Sequence, residues 1–150
     1  RVVMNENYDA ILQEMSALAD VIKISDEDLC GLFRTKDESA AFLQLQKLNN
    51  DPNTLYLVTR GKDGASLICG KNTWHGKPPE IQVIDSVGAG DASAAGLLQS
   101  LMNDPKASPE THLRQAISCG SAACLVAGAG LPNAEIILAL AAKVKINKND

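Results

Sequence analysis

At 150 residues the chain is the size of one domain and can bury roughly two-thirds of its unfolded surface. Hydrophobic residues at 45% and charged residues at 21% exclude a disordered chain, and a net charge of -4 excludes a uniformly basic surface for nucleic acid or anionic membrane. No stretch reaches the roughly 18 uninterrupted apolar residues of a membrane span, and Cys30, Cys69, Cys119 and Cys124 lack C-x-x-C spacing, so reduced thiols in a cytoplasmic protein are expected.

In chain order, Ile11, Leu12, Met15, Leu18 and Ala19 recur at helical spacing and predict an amphipathic helix from about Tyr8 to Leu18. "ADVIKIS" then reads as a short buried strand. Ser25 stands three residues before Asp28 as the N-cap of a helix carrying Leu29, Leu32 and Phe33. A further helix is expected over Asp37 to Leu48. "NNDPN" signals a turn, "TLYLVTR" a buried strand, "GKDG" a tight turn and "ASLIC" a returning strand. "GKNTWHGKPPE" reads as a polar excursion closed by two prolines, with His75 on the surface and Trp74 covering a hairpin edge. "IQVID" is expected to be the next strand, Ala89 to Met102 a helix, Pro109 to Ala127 another with a surface His112, and Glu135 to Val144 the last. "KVKINKND" is expected to be a frayed tail. Strands alternating with helices imply an α/β fold with a parallel or mixed sheet.

The stretch "IDSVGAGDASAAG" carries the chemistry. Asp85 ends the expected strand, Gly88, Ala89 and Gly90 turn the chain, and Asp91 falls in the first turn of the next helix. A helix N-terminus offers unpaired N–H groups to an anion, and glycine lets the backbone approach it. An acid in such a place repels phosphate unless it takes a proton from the attacking group, which points to phosphoryl transfer to a hydroxyl. A plain strand-turn-helix corner, with Asp91 complementing the helix dipole, uses the same residues. Neither G-x-G-x-x-G nor a Walker loop is satisfied: Ser93 stands where the third glycine belongs, and Asn72 follows Gly70-Lys71.

"DSVGAGD" resembles the D-T-x-G-A-G-D signature of the ribokinase-like sugar kinases, the phosphofructokinase-B family, with Ser86 in place of threonine. "ADVIKISDEDL", "VTRGKDGA" and "AGAGLP" resemble three more of its segments, in the same order. The resemblance implies a ribokinase-like α/β fold, a Rossmann-like sheet with helices on both faces. It covers residues 1–150 as the C-terminal nucleotide-binding and catalytic part, so the N-terminal substrate half and its lid are expected to be absent, and the isolated segment inactive. Arg1 at the start agrees with a processed or truncated product.

By the same resemblance Asp91 is the catalytic base, and Gly88, Ala89 and Gly90 form the anion hole. Thr59, Gly61 and Gly64 lie near the nucleotide, and Ser121 lies near adenine. Asp85 and the backbone of Val87 hold a monovalent cation, potassium, in members that use one. Asp28 stands at the glutamate of N-x-x-E, which acts on Mg2+ indirectly, and Ser25 at its asparagine, as in fructokinase-like members. The implied reaction is ATP-dependent phosphorylation of a small sugar at a primary hydroxyl, fructokinase-like. Ribose, 2-keto-3-deoxygluconate or nucleoside kinases and a non-catalytic nucleotide-binding module are the alternatives. Partners are a small-molecule sugar and ATP, with no nucleic acid and no membrane; a homodimer is compatible.

Overall fold

The computed structural model describes residues 6–49, 51–128, 130 and 132–149. Asn50 of the expected turn, and Ala129 and Leu131 of "AGAGLP", lie outside the described residues. Helix α1 (Glu6–Leu18) leads into strand β1 (Val21–Ser25), followed by helices α2 (Asp26–Leu32) and α3 (Glu38–Leu48). Strands β2 (Leu55–Thr59), β3 (Ala65–Cys69) and β4 (Asn72–Lys77) come next. Helices α4 (Ala89–Asn103), α5 (Pro109–Ala123) and α6 (Ala134–Ala141) precede a last strand, β5 (Lys145–Asn149). Side-chain caps start α2, α3, α5 and α6: Ser25, Asp37, Ser108 and Asn133 each accept a hydrogen bond from a first-turn N–H.

Among the described residues the strands form one sheet in the order β1-β2-β3-β4-β5. Only β1 and β2 are parallel, with Ser25 opposite Thr59 at their carboxyl ends; the other pairs are antiparallel. Alternation along β2 assigns its side chains to two cores. Leu57 joins Leu67, Trp74, Leu97, Leu113 and Ile117 beneath α4 and α5. Tyr56 and Val58 join Leu29, Ala41, Leu45 and Ile68 beneath α2 and α3. Helices therefore cover both faces, as the α/β reading expects.

Three expectations need correction. Residues 81–85 are not a strand. The Pro78-Pro79 pair donates no N–H, β5 occupies the outer edge of β4, and the N–H groups of Ile84 and Asp85 go instead to the carbonyl of Cys124 at 2.8 and 3.3 Å. "KINKN" is no frayed tail, because it pairs with β4 along its whole length, Lys145 opposite Lys77 and Asn149 opposite Thr73. The supposed polar excursion contains β4, whose alternation is hidden by its composition: Trp74 and Gly76 face the core while Asn72 and Lys77 are exposed.

Two helices also end early. Helix α5 stops at Ala123, where the Cys124 carbonyl turns to Ile84 and Asp85. Helix α6 stops at Ala141, where the Arg114 guanidinium takes the carbonyls of Ala141 and Val144 at 2.9 and 2.6 Å. His112 is not a surface group: it is 4% exposed, and its Nδ1 lies 2.8 Å from the Ser100 hydroxyl, tying α5 to α4. Trp74 covers no hairpin edge, because β4 is paired on both sides and the indole lies in the core beneath α4 and α5. Its ring is buried and its Nε1 donates to Glu110 at 2.9 Å.

Helices α4 and α5 approach closely because glycine stands at two crossing points. A Cβ on Gly96 would lie 2.8 Å from Cys119 Sγ and 2.9 Å from the Gln115 carbonyl oxygen. Gly96→Ala therefore sets two terms against each other. Alanine gains about 1 kcal/mol of helix propensity, while overpacking a tight contact costs about 1–3 kcal/mol. The Gln115 oxygen is backbone and cannot rotate aside, which puts the cost at the upper end, about 2–3 kcal/mol, and the net destabilisation at about 1–2 kcal/mol. A urea titration checks this, and an unchanged midpoint would refute the close-contact account.

Candidate active site

The turn into α4 starts with Gly88, which caps the helix in the left-handed region at φ 80°, where a side chain would be strained. Val87 donates its N–H to Asp85 Oδ1 at 3.0 Å, and Ala89 donates to the Ser86 carbonyl at 3.2 Å. Among the described residues the N–H groups of Gly88, Gly90 and Asp91 have no acceptor. Of the three amides read from the sequence as an anion hole, that of Ala89 is taken up inside the turn, while those of Gly88 and Gly90, and that of the following Asp91, are free. The side chain of Asp91 is exposed at the same helix end.

Sequence reasoning missed Lys23. It sits in β1 between Ile22 and Ile24, which pack against the α2 and α3 core, so its side chain points to the α4 face. Its ammonium Nζ lies 2.8 Å from the position a Cβ would take on Gly90. Glycine at 90 therefore makes room for this cation. A lysine in the middle of an otherwise apolar strand was the available signal. Two positive sources, the α4 dipole and the lysine, meet at one point.

Asp85 closes the turn from the other side. Its Oδ2 accepts from the Gly128 N–H at 2.9 Å while Oδ1 holds Val87, and these backbone donors keep its carboxyl below the usual aspartate range. Beside it, burial and then the Asp85 charge push the Cys124 thiol above its ordinary value.

The expected nucleotide residues separate. Thr59 ends β2 and its hydroxyl reaches toward the Ile24 carbonyl at 3.5 Å. Gly61, at φ 50°, has open space where a side chain would be. Gly64 serves the fold, because at φ 97° its Cβ would fall 2.0 Å from the Gly76 carbonyl oxygen. Ser121 is 8% exposed within α5 and is not brought to the turn's surface. Asp28 is exposed and engaged with Ser25, whose hydroxyl donates to Asp28 Oδ2 at 2.6 Å and accepts from the Asp28 N–H at 3.0 Å. Together they form a reciprocal cap on α2.

Position matters as much as composition. The free amides, Lys23, Thr59 and Gly61 are placed by the carboxyl-terminal side of the parallel pair β1 and β2, the side on which open α/β sheets bind ligands. The arrangement can hold an anion at the α4 N-terminus and place a carboxylate beside it.

The chain's similarities agree with this chemistry. The profile of the pfkB family carbohydrate kinases matches residues 2–136. The 1-phosphofructokinase of Vibrio cholerae serotype O1 is 30% identical over 155 residues, covering 98% of this chain and 46% of that protein. Aminoimidazole riboside kinase from Salmonella enterica, solved with aminoimidazole riboside and an ATP analog, superposes with a TM-score of 0.81 at 27% identity over 93% of this chain and 48% of that one. Fructokinase from Vibrio cholerae O395, solved with fructose, ADP and calcium, gives a TM-score of 0.79 at 27% identity over 90% of this chain and 45% of that one. The chain thus spans about half the length of these relatives, in a five-stranded mixed sheet with the ribokinase-like fold. On its motifs, fold and matched length, the chain belongs to the pfkB family of carbohydrate kinases.

Proposed function

We propose that this chain is the nucleotide-binding and catalytic part of a kinase that phosphorylates a small sugar, fructose or a close analogue, at a primary hydroxyl. The observation that carries the reading is the exposed Asp91 beside the unpaired amides of Gly88, Gly90 and Asp91, with the Lys23 ammonium against Gly90. ATP, when bound, supplies the transferring phosphoryl group. The Asp91 carboxylate takes the hydroxyl proton, and the amides and Lys23 offset the charge that develops on the equatorial oxygens. Thr59 and Gly61 would face the nucleotide phosphates and ribose, and Ser121 the adenine side.

Among the described residues no group of three or more His, Cys, Asp and Glu could hold a metal ion. Asp28, exposed and capped with Ser25 at the start of α2, would act on Mg2+ through water. Asp85 and the backbone of Val87 would hold potassium beside the turn. A rise in rate when sodium is replaced by potassium, lost in Asp85→Ala, tests that assignment.

Fructose is favoured by Ser25 in "KISDED" and by the likeness to the Vibrio cholerae fructokinase. A phosphorylated sugar is the second reading, favoured by the 1-phosphofructokinase that aligns along 98% of this chain. Assaying the full-length kinase against fructose, fructose 1-phosphate, ribose, 2-keto-3-deoxygluconate and aminoimidazole riboside separates these substrates. A homodimer in the cytoplasm remains part of the proposal, tested by light scattering and fractionation.

Asp91→Asn keeps the volume and a hydrogen-bonding oxygen but cannot accept a proton. It is expected to lower kcat by about 10² to 10⁴, with ADP affinity equal or slightly higher because a negative charge beside the phosphates is gone. Were Asp91 only a dipole partner, kcat would hold and stability would fall by about 0.3–1 kcal/mol. Lys23→Met is expected to weaken both ADP binding and turnover, measured by calorimetry and steady-state kinetics.

Asp85 gives a test that needs no substrate. Its charge contributes to the raised Cys124 value, so Asp85→Asn should lower that value and increase the thiolate fraction at pH 8. Faster alkylation of Cys124 by iodoacetamide, followed by peptide mass spectrometry, is the expected result. An unchanged rate would separate Asp85 electrostatically from the end of α5.

A further inference from the structure

One polar network lies next to the nucleotide residues and is not used by the proposed chemistry. Arg60 follows Thr59 directly. Its Nε donates to Glu38 Oε1 and Oε2 at 3.0 Å each, and its Nη2 also bonds Oε1. Its Nη1 donates to the Ser66 hydroxyl at 2.7 Å, and that oxygen lies 2.8 Å from His75 Nδ1. Glu38 opens α3, Ser66 is in β3, and His75 is its cross-strand partner in β4. One guanidinium thus ties a helix and two strands to the residue after Thr59.

Counting donors orders the network. Arginine only donates, so Ser66 Oγ accepts from Nη1. Ser66 is 0% exposed, so its own proton needs an acceptor within the protein, and His75 Nδ1 is in reach. Glu38 responds as a clamped carboxylate: the Arg60 hydrogen bonds first, and then the Arg60 charge, hold it below the usual glutamate range against desolvation.

The clasp sits at the base of a turn that already has its own backbone bonds. Arg60 N donates to the Gly64 carbonyl at 2.7 Å and Gly64 N to the Gly61 carbonyl at 3.1 Å. Gly64 is pressed against Gly76 on one side, while Gly61 stands open on the other. An ion pair whose side chains are 23% and 37% exposed adds little to stability, so stability alone is a poor account of four polar groups in one place. What a forked, bidentate arginine supplies is a fixed direction.

We propose that Arg60, locked by Glu38, Ser66 and His75, is a positioning residue for the nucleotide: it sets the backbone from Thr59 to Gly64 without touching the reacting atoms. This deepens the kinase reading and rests on it. The predicted signature is a loss confined to the nucleotide side. A misplaced contact loop weakens binding of the phosphates it faces, whereas Asp91 and the α4 turn belong to another element.

The test is made in the full-length kinase, with ADP binding by calorimetry and steady-state kinetics in ATP and sugar. Arg60→Lys keeps the charge but loses the fork, and is expected to raise the ADP dissociation constant and KM for ATP about tenfold, with kcat and sugar KM within about twofold. Glu38→Gln, a milder change should Arg60→Lys fold poorly, is expected to move the same two quantities by about threefold. Circular dichroism verifies the fold of both. Unchanged nucleotide affinity in both variants, or a fall in kcat at constant KM, overturns the positioning role. If wild type turns over, Asp91→Asn is inactive and both clasp variants bind ADP normally, only this proposal falls. If wild type fails to bind ADP, it falls together with the kinase reading.

Discussion

The contact between α4 and α5 decides where the reactive end of the molecule lies. Gly120 of α5 stands under the first turn of α4: a Cβ there would fall 2.2 Å from Ser93 Oγ and 3.1 Å from the Ala89 carbonyl oxygen. Gly96 makes the matching close approach one helical span later, and the Ser100 and His112 side chains bond at the far end. The α4 N-terminus therefore rests on α5 backbone without a cushion of side chains. Below it, α5 is seated on the sheet through Leu113, Ala116 and Ile117, with Ile117 filling the space that Gly76 leaves in β4. The amides of the turn are as fixed as the core beneath them, which is what electrostatic stabilisation of a developing charge requires.

The same helix also holds the segment that enters the turn. The Cys124 carbonyl, released where α5 unwinds, accepts from Ile84 and Asp85, and the Asp85 carboxylate then spans Val87 and Gly128. Residues 84–88 are thus held by the end of α5 instead of by strand pairing. This explains how an exposed stretch that includes Val83, Ile84 and Val87 keeps a defined path. The charges around the turn follow from that path. Lys23 and the α4 dipole are positive, Asp85 is occupied by backbone donors, and Asp91 is an exposed carboxylate at the same helix end.

Local chemistry explains which parts of this arrangement could be read from sequence. Ser25 and Asp37 announce their helices because a cap is satisfied within three residues, and "TLYLVT" announces β2 because both of its faces are covered. The glycine-aspartate stretch was legible as a tight turn into α4 from its motif. Features set by distant partners were not. "KINKN" is polar and becomes a strand only because the edge of β4 is open to it, and "IQVID" has strand composition but finds that edge taken. His112 looked like a surface group near a helix start, yet tertiary packing places it against Ser100 in the interior. The meaning of Lys23 depends on Gly90, 67 positions further along the chain (90 − 23), where a Cβ would lie 2.8 Å from the lysine Nζ.

The two faces of the sheet divide the work at the carboxyl ends of β1 and β2. On the α4 face lie the free amides and the Lys23 ammonium, groups that meet negative charge. On the α3 face lies the Glu38, Arg60, Ser66 and His75 clasp, whose charges are already answered within the protein. Thr59 and Gly61 run between them. Arg60 is answered by Glu38, so it adds no unpaired positive charge beside Lys23 and the α4 N-terminus. The antiparallel strands β3 and β4 serve this division by carrying Ser66 and His75 on one face while Leu67 and Trp74 fill the core on the other. Strand alternation is thus the reason one short sheet can clamp a loop on one side and seat the α4 N-terminus with its free amides on the other.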